Sequence, residues 1–395
     1  MKNILIITNG FPCKEWEVNS TFVKAQVDEL AQYYDNVYVI SQTPYFPRWL
    51  GKLKFIPKIF QNYSKPRNYS YANVQVEYAR YLSPPGDKWL SFRANNCYKA
   101  IKKIIDNSGI KFDVIHSHFI WVSGFVGQRI AEERDIKHVV TAHGFDVYDF
   151  PYRSLEALNK TSYVLNNADE IITVSDANRK ILRTLGCDNV KLIPNGYDAD
   201  LFFVKKNKSL KKTLLGNKSK NYEHIFLHVA NMVKIKNHDT LIDALNIVNK
   251  KYNTLTIFIG DGPLKKKIEE KIIENNLEKH TKFVGEIPHD EVNNWMNIAD
   301  TVILPSFNEG NPTVLVESLA TGTPFVGSDV GGISEVITKD TGMLIKEPNN
   351  PEEIAKRLIK SIEKEWNKQK IVDQGTKYSW RILGKKLLEV FEWNQ

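Results

Sequence analysis

At 395 residues the chain has the length of two domains rather than one, and its 42% apolar and 25% charged residues are ordinary for a globular protein. No run approaches the roughly 18–20 apolar residues of a membrane span, and three widely spaced cysteines (Cys13, Cys97, Cys187) argue against a disulfide framework and fit a reducing cytoplasm. The net charge of +8 comes with no nucleic-acid recognition motif, so no nucleic-acid partner is expected.

The opening MKNILIITNGFP has too short an apolar run for a signal peptide and reads as a buried strand over 4–8 feeding a loop. A helix over 21–33 and a strand over 37–41 follow. Between Pro44 and Tyr71 there are six basic residues (Arg48, Lys52, Lys54, Lys58, Lys65, Arg67) and no acid, interleaved with Phe46, Trp49, Leu50, Leu53, Phe55, Ile56, Ile59 and Phe60. That mixture is expected either on an anionic membrane surface or as a helix packed on its own domain with a solvated lysine face. Strands over 74–79, 114–116, 139–141, 171–174 and 190–193 then alternate with helices over 88–107, 123–134 and 176–184. Such alternation predicts a parallel sheet covered on both faces.

Residues 204–222 are lysine-rich and aperiodic, and are expected to be a linker or mobile insertion. The pattern then restarts. Strands over 225–229, 256–259, 281–284, 302–304 and 324–327 alternate with helices over 238–250, 264–274 and one opened by Pro312. An amphipathic helix over 378–391 closes the chain. The organisation expected is α/β, with one doubly wound domain at 1–200, a second at 201–375 and a terminal helix within 376–395.

The most informative segment is PSFNEGNPTVLVE at 305–317. Glu309 and Glu317 have seven residues between them and straddle a predicted helix start. Gly310 frees the backbone, Asn311 is placed to cap, and Pro312 is expected at the first helical position, before Thr313. Such a terminus offers unpaired N–H groups and the positive end of the dipole to a diphosphate. The two carboxylates can accept from sugar and ribose hydroxyls on either side. The alternative is a capped helix with two solvated acids.

The longer run EGNPTVLVESLATGTPFVGSDVGGISEVI resembles the donor-site signature of the retaining glycosyltransferases of family 4. The resemblance is most specific from about Thr281 to Leu344 and extends over nearly the whole chain. It implies the GT-B fold: two Rossmann-like domains facing across a cleft, acceptor in the first, nucleotide sugar in the second, the last helix crossing back to the first. It also implies metal-independent chemistry, so no cofactor is expected.

Residue by residue, the resemblance puts Lys236 and the N–H groups around Asn311–Thr313 on the diphosphate, Glu309 on the donor sugar, Glu317 on the ribose and Ile287 near the base. The family usually has Arg, four residues, then Lys-Gly after the first strand of the second domain. Here Lys236 is kept, but Asn231 stands at the Arg position and Asn237 at the Gly position. In TAHGFDV, His143 matches a histidine that faces the donor sugar, with Asp146 close behind. His116 and His118 in DVIHSHF match another block and are expected in structural or acceptor-side roles, since no third ligand makes them a metal site. Ser20 stands where the family commonly has glycine near the diphosphate.

The function expected is retaining transfer from a nucleotide sugar, UDP favoured over GDP, to a glycan or polyprenyl-linked saccharide in surface-polysaccharide assembly. The protein is expected in the cytoplasm, peripheral to the membrane. A nucleotide-sugar epimerase of the same fold and a non-catalytic sugar-nucleotide-binding protein stay open as alternatives.

Overall fold

The computed structural model describes residues 2–47, 49, 52, 58–206 and 209–391. Of the basic–aromatic stretch, Arg48, Leu50, Leu53, Lys54, Phe55 and Ile56 lie outside the described residues. The chain divides into two compact units, Met1–Pro194 with Trp380–Gln395, and Asn195–Ser379. The sequence reading put these cuts at 200/201 and 375/376.

The first unit is built on eight strands: β1 (Asn3–Thr8), β2 (Asn36–Pro44), β3 (Tyr69–Tyr71), β4 (Val74–Tyr81), β5 (Val114–His118), β6 (Lys137–Ala142), β7 (Glu170–Thr173) and β8 (Val190–Leu192). Their spatial order is β3-β4-β2-β1-β5-β6-β7-β8. Every pairing is parallel except β3 with β4. Ile4, Leu5, Ile6 and Ile7 are all fully buried, as a central strand covered on both faces requires. Helix Trp380–Phe391 belongs to this unit. Its Trp380, Leu383, Leu387 and Phe391 join Val23, Val27 and Leu30 of helix Thr21–Leu30 in one apolar cluster. Gly384 permits the close approach, since a Cβ there would sit 2.6 Å from Cγ of Glu29.

The second unit has six strands, all parallel: β9 (His224–Val229), β10 (Thr254–Ile259), β11 (Thr281–Gly285), β12 (Thr301–Leu304), β13 (Phe325–Ser328) and β14 (Gly342–Ile345). Their order is β11-β10-β9-β12-β13-β14. The direction of winding reverses between β9 and β12. Crevices outside the carboxyl ends of strands at such a switch point are where open α/β sheets hold ligands. The expected linker is corrected in part. Residues 207 and 208 lie outside the described residues, but Leu210–Leu215 is helical. Leu214, Leu215 and Tyr222 pack on the core of this unit. The lysines around the two leucines form a solvated face that masks their periodicity.

Candidate functional site

In the second unit, β9 and β12 each deliver a loop to the switch point. The loop after β9 runs from Ala230 through a single 3₁₀ turn, Lys234–Lys236, to helix His238–Asn249. The loop after β12 runs from Pro305 to Pro312. The two are tied together by their main chains, with the Phe307 N–H donating to the Ile235 carbonyl at 2.8 Å. They are also tied by side chains, because Lys236 Nζ reaches Glu309 Oε1 at 2.6 Å. Glu309 is buried and Lys236 half-buried, so the contact is shielded from solvent more than a surface pair is.

Asn237 explains why this chain manages without the family's glycine. Its φ of 57° and ψ of 42° lie in the left-handed region, which asparagine tolerates better than other residues with a Cβ. Its buried amide then does work that glycine cannot. Nδ2 donates to the carbonyls of Pro305 at 3.0 Å and Pro348 at 2.7 Å, while Oδ1 accepts from the Thr240 hydroxyl at 2.7 Å. The next residue is also locked. His228 Nδ1 lies 2.8 Å from the Ile303 carbonyl, which can only accept, so the proton is on Nδ1. His228 Nε2 is therefore bare and accepts from His238 Nε2 at 3.1 Å, leaving His238 Nδ1 without a partner. Burial holds the His238 imidazole down at about 4 and His228 well below its ordinary value, so both are neutral at physiological pH.

The carboxylate loop rests on a glycine pair, Gly331 and Gly332. A Cβ on Gly331, whose φ is 52°, would overlap the Glu309 carbonyl, and Gly332 donates its N–H to the Gly310 carbonyl at 2.8 Å. Asn195 Nδ2 donates to the Asn311 carbonyl at 2.8 Å. The helix start differs from expectation. Pro312 is the N-cap with ψ 125°, the first helical residue is Thr313, and no side chain caps helix Thr313–Ala320. Asn311 faces inward, and its Oδ1 has no partner. A proline ring fixes φ but not ψ, so it is equally at home one position before the helix. The consequence for binding is small, because an uncapped first turn still offers N–H groups to an anion.

Glu317, one helical turn further on, is 4% exposed. Its Oε1 lies 2.9 Å from Nε2 of His289, a residue to which sequence reasoning gave no role. Burial acts to depress the His289 imidazole, but the Glu317 carboxylate, with Asp198 and Asp290, outweighs it and leaves the group above its ordinary value. Ile287 is half-buried against the core of the same unit. Asn231 is exposed, and its carbonyl accepts from the Val233 N–H.

In the first unit, His116 and His118 end β5 and His143 follows β6. His118 Nδ1 lies 3.0 Å from His143 Nε2, and His116 Nε2 lies 2.8 Å from the Thr141 hydroxyl. His116 and His118 have no accessible surface, which favours the structural member of the two roles expected for them. Burial pushes His116 and His143 down to about 3 and His118 well below its ordinary value, so the three rings are neutral. Asp146, expected on the acceptor side, is a buried brace for the backbone around it. Its oxygens accept from the N–H groups of Ile120, His143 and Gly144 at 2.8, 3.0 and 2.9 Å, and it is 1% exposed. Phe22 and Phe119 pack their rings 5.0 and 4.7 Å from that of His143. Ser20 has a φ of 52°, the left-handed conformation that explains glycine at this position in the family. Among the described residues, no cluster of three His, Cys, Asp or Glu side chains could hold a metal ion.

Comparison with known proteins agrees with this architecture. Residues 20–201 match the model of Glycosyltransferase Family 4, and residues 213–378 match that of Glycosyl transferases group 1. The chain is 29% identical over 365 residues to an uncharacterized glycosyltransferase of Methanocaldococcus jannaschii, MJ1178, covering 90% of this chain and 95% of that protein. It is 25% identical over 360 residues to the putative teichuronic acid biosynthesis glycosyltransferase TuaC of Bacillus subtilis, with 90% and 88% covered. Among solved structures, sucrose-phosphate synthase from Thermosynechococcus elongatus superposes with a TM-score of 0.78 at 20% identity, covering 99% of this chain and 98% of that one. Anabaena HepE in complex with UDP gives 0.72 at 19% identity, with 99% of each chain covered. At these identities the structural likeness is one of fold. With one model matched on each half and a relative aligned along nine-tenths of the chain, this protein belongs to the glycosyltransferases of the group 1 and family 4 type, and its two parallel sheets are those of the GT-B fold.

Proposed function

We propose that the protein transfers a sugar, with retention at the anomeric carbon, from a UDP-sugar to a saccharide or lipid-linked saccharide in surface-glycan assembly. The observation that carries this reading is the Lys236–Glu309 pair at the β9/β12 switch point, beside an uncapped helix start. Lys236 and the first-turn N–H groups take the diphosphate, Glu309 the sugar hydroxyls and Glu317 the ribose. In the transfer step the bond from the anomeric carbon to the diphosphate oxygen breaks as the bond to the acceptor oxygen forms on the same face. The acceptor proton passes to the departing phosphate oxygen. The protein's part is to stabilise that leaving charge and to hold the reactants in place. No residue is given the role of nucleophile, and no step uses a metal.

UDP is favoured because HepE, of like fold, is described in complex with UDP and with UDP-glucose. Glycan assembly is favoured by the likeness to TuaC. A membrane-presented acceptor on the cytoplasmic face is supported by the basic–aromatic stretch, where Tyr45, Trp49 and Phe60 are exposed. Among the described residues no helix is long and apolar enough to cross a membrane.

The test is nucleoside-diphosphate release from a panel of UDP- and GDP-sugars, with and without bacterial lipid extract. Release that requires the extract and disappears in Glu309→Ala and Lys236→Ala supports the proposal and identifies the donor. Tight nucleotide binding with no release from any donor and any acceptor fraction would overturn it in favour of a binding role, with the neutral Asn231 as the reason.

A further inference from the structure

Glu317, like Glu309, is a buried carboxylate of the second unit held by a single side chain. Glu317 is 4% exposed on helix Thr313–Ala320, and its Oε1 is 2.9 Å from His289 Nε2. No other partner holds its side chain among the described residues. A carboxylate so buried is strongly disfavoured in its charged form unless a donor meets it. His289 is that donor. It is the first residue of helix His289–Ile298, which follows β11, so its backbone is fixed independently of the helix that carries Glu317. Its ring is fixed as well, lying 4.9 Å from the ring of Phe202 at 57°, and Phe202 is itself 1% exposed. The order of support therefore runs from Phe202 to His289 to Glu317.

This arrangement commits one oxygen of Glu317 and leaves Oε2 as the acceptor available to a ligand. Ribose offers a vicinal pair of hydroxyl donors, and a deoxyribose lacks one of them. A site built to accept from a hydroxyl rejects the analogue without it, because a buried acceptor is then left unpaired. How firmly it rejects depends on how firmly the acceptor is held in place.

We infer that His289 is a positioning residue that holds Glu317 against the ribose hydroxyls and so sets the preference for ribonucleotides over deoxyribonucleotides. The inference rests on the donor-site reading of Glu317 given above and adds to it the residue that enforces the selectivity. His289 does not touch the reacting atoms.

The experiment is calorimetric titration of the full chain with UDP, 2′-deoxy-UDP and 3′-deoxy-UDP, with the GDP series in parallel, on the parent, His289→Ala, His289→Gln and Glu317→Ala. Thermal melts confirm that each variant is folded. In His289→Ala the affinity for the ribonucleotide falls about tenfold, the worth of one charge-assisted hydrogen bond, while affinity for the deoxy forms changes little. In His289→Gln, whose amide N–H can reach the same oxygen, most of the preference returns. If His289→Ala weakens ribo- and deoxyribonucleotides equally, or neither, the histidine only supports the helix and the inference is overturned. Glu317→Ala separates the two levels of the argument. Should it collapse the preference while His289→Ala does not, the inference alone fails. If Glu317→Ala leaves the preference intact, if the parent shows none, or if neither nucleotide series binds, the donor-site reading fails with it.

Discussion

Lys236 Nζ sits 2.6 Å from Oε1 of Glu309, so the two groups assigned to the diphosphate and the donor sugar are each other's partners. On the proposed assignment, a diphosphate that takes the lysine's charge would release the carboxylate, so that occupancy of the first subsite would free the second. Removing the lysine should do two kinds of damage. Lys236→Ala leaves Glu309 unpaired in a mostly buried position, at a cost of about 2 kcal/mol, between the values for surface and fully buried pairs. It also removes a donor to the leaving group, lowering turnover roughly 10²–10³-fold. Urea denaturation and nucleotide release measure the two separately. A variant with lowered stability and unchanged turnover would take Lys236 out of the chemistry.

Asn237 combines a backbone role with a side-chain role, and two substitutions separate them. Asn237→Gly keeps the left-handed backbone but leaves the Pro305 and Pro348 carbonyls without their donor, a loss of about 1–2 kcal/mol. Asn237→Ala loses the donor and also strains the backbone, adding roughly 1 kcal/mol. The expected order of denaturation midpoints is parent, glycine, alanine. A glycine variant as stable as the parent would mean that the amide bridge contributes nothing.

Gly331→Ala tests how the carboxylate loop is seated. A methyl group there meets the Glu309 carbonyl, with φ at 52°, so the loop must move or the backbone must strain. Overpacking of this kind costs roughly 1–3 kcal/mol. Nucleotide affinity should fall along with stability. Unchanged affinity in a folded variant would show that the exact seat of Glu309 is not needed for binding.

The His289–Glu317 pair carries a pH signature. Its imidazole is raised in the folded chain by Glu317, Asp198 and Asp290 against the effect of burial. A raised base contributes stability that is complete below its unfolded value, about 6.5, and that is lost as pH climbs through the folded value. The difference in denaturation midpoint between the parent and His289→Gln should therefore be largest at about pH 6 and shrink on the alkaline side. A difference that grew with pH would contradict the assignment of the charge.

Ser20 holds a left-handed conformation without a capping bond from its side chain. Ser20→Gly relieves a strain of about 1 kcal/mol, offset in part by the greater freedom of glycine in the unfolded chain. A small rise in melting temperature is expected, and a fall would show that the hydroxyl matters more than its geometry indicates.

The parallel strands were legible because central strands buried on both faces are written as unbroken Val, Ile and Leu, as at Ile4–Ile7. β3 and β14 were not read, since Tyr69–Tyr71 is a short strand without a fully buried residue and Gly342–Ile345 opens on a glycine. The resemblance singled out Lys236, Glu309 and Glu317 by their spacing, and the structure brings the first two together as a pair. The site was illegible where roles depend on what a residue faces. Asn237 read as a departure from glycine and proved to be a bridge between loops. Asn311 read as a cap and faces inward. Asp146 read as a neighbour of His143 and is enclosed by three backbone N–H groups. His289 lies between a proline and an aspartate in a stretch that any solvated helix start would share; only the position of Glu317, twenty-eight residues later, gives it meaning.

The terminal helix has a consequence for how the chain is made. Trp380, Leu383, Leu387 and Phe391 complete an apolar cluster whose other members begin at Ile4, whereas the second unit is continuous from Asn195 to Ser379. A ribosome therefore exports the first unit's sheet long before the residues that cover its helix Thr21–Leu30. The unit translated second is the first whose core can be complete, and the exposed flank of the other must wait, shielded or chaperoned, for the last helix to leave the tunnel.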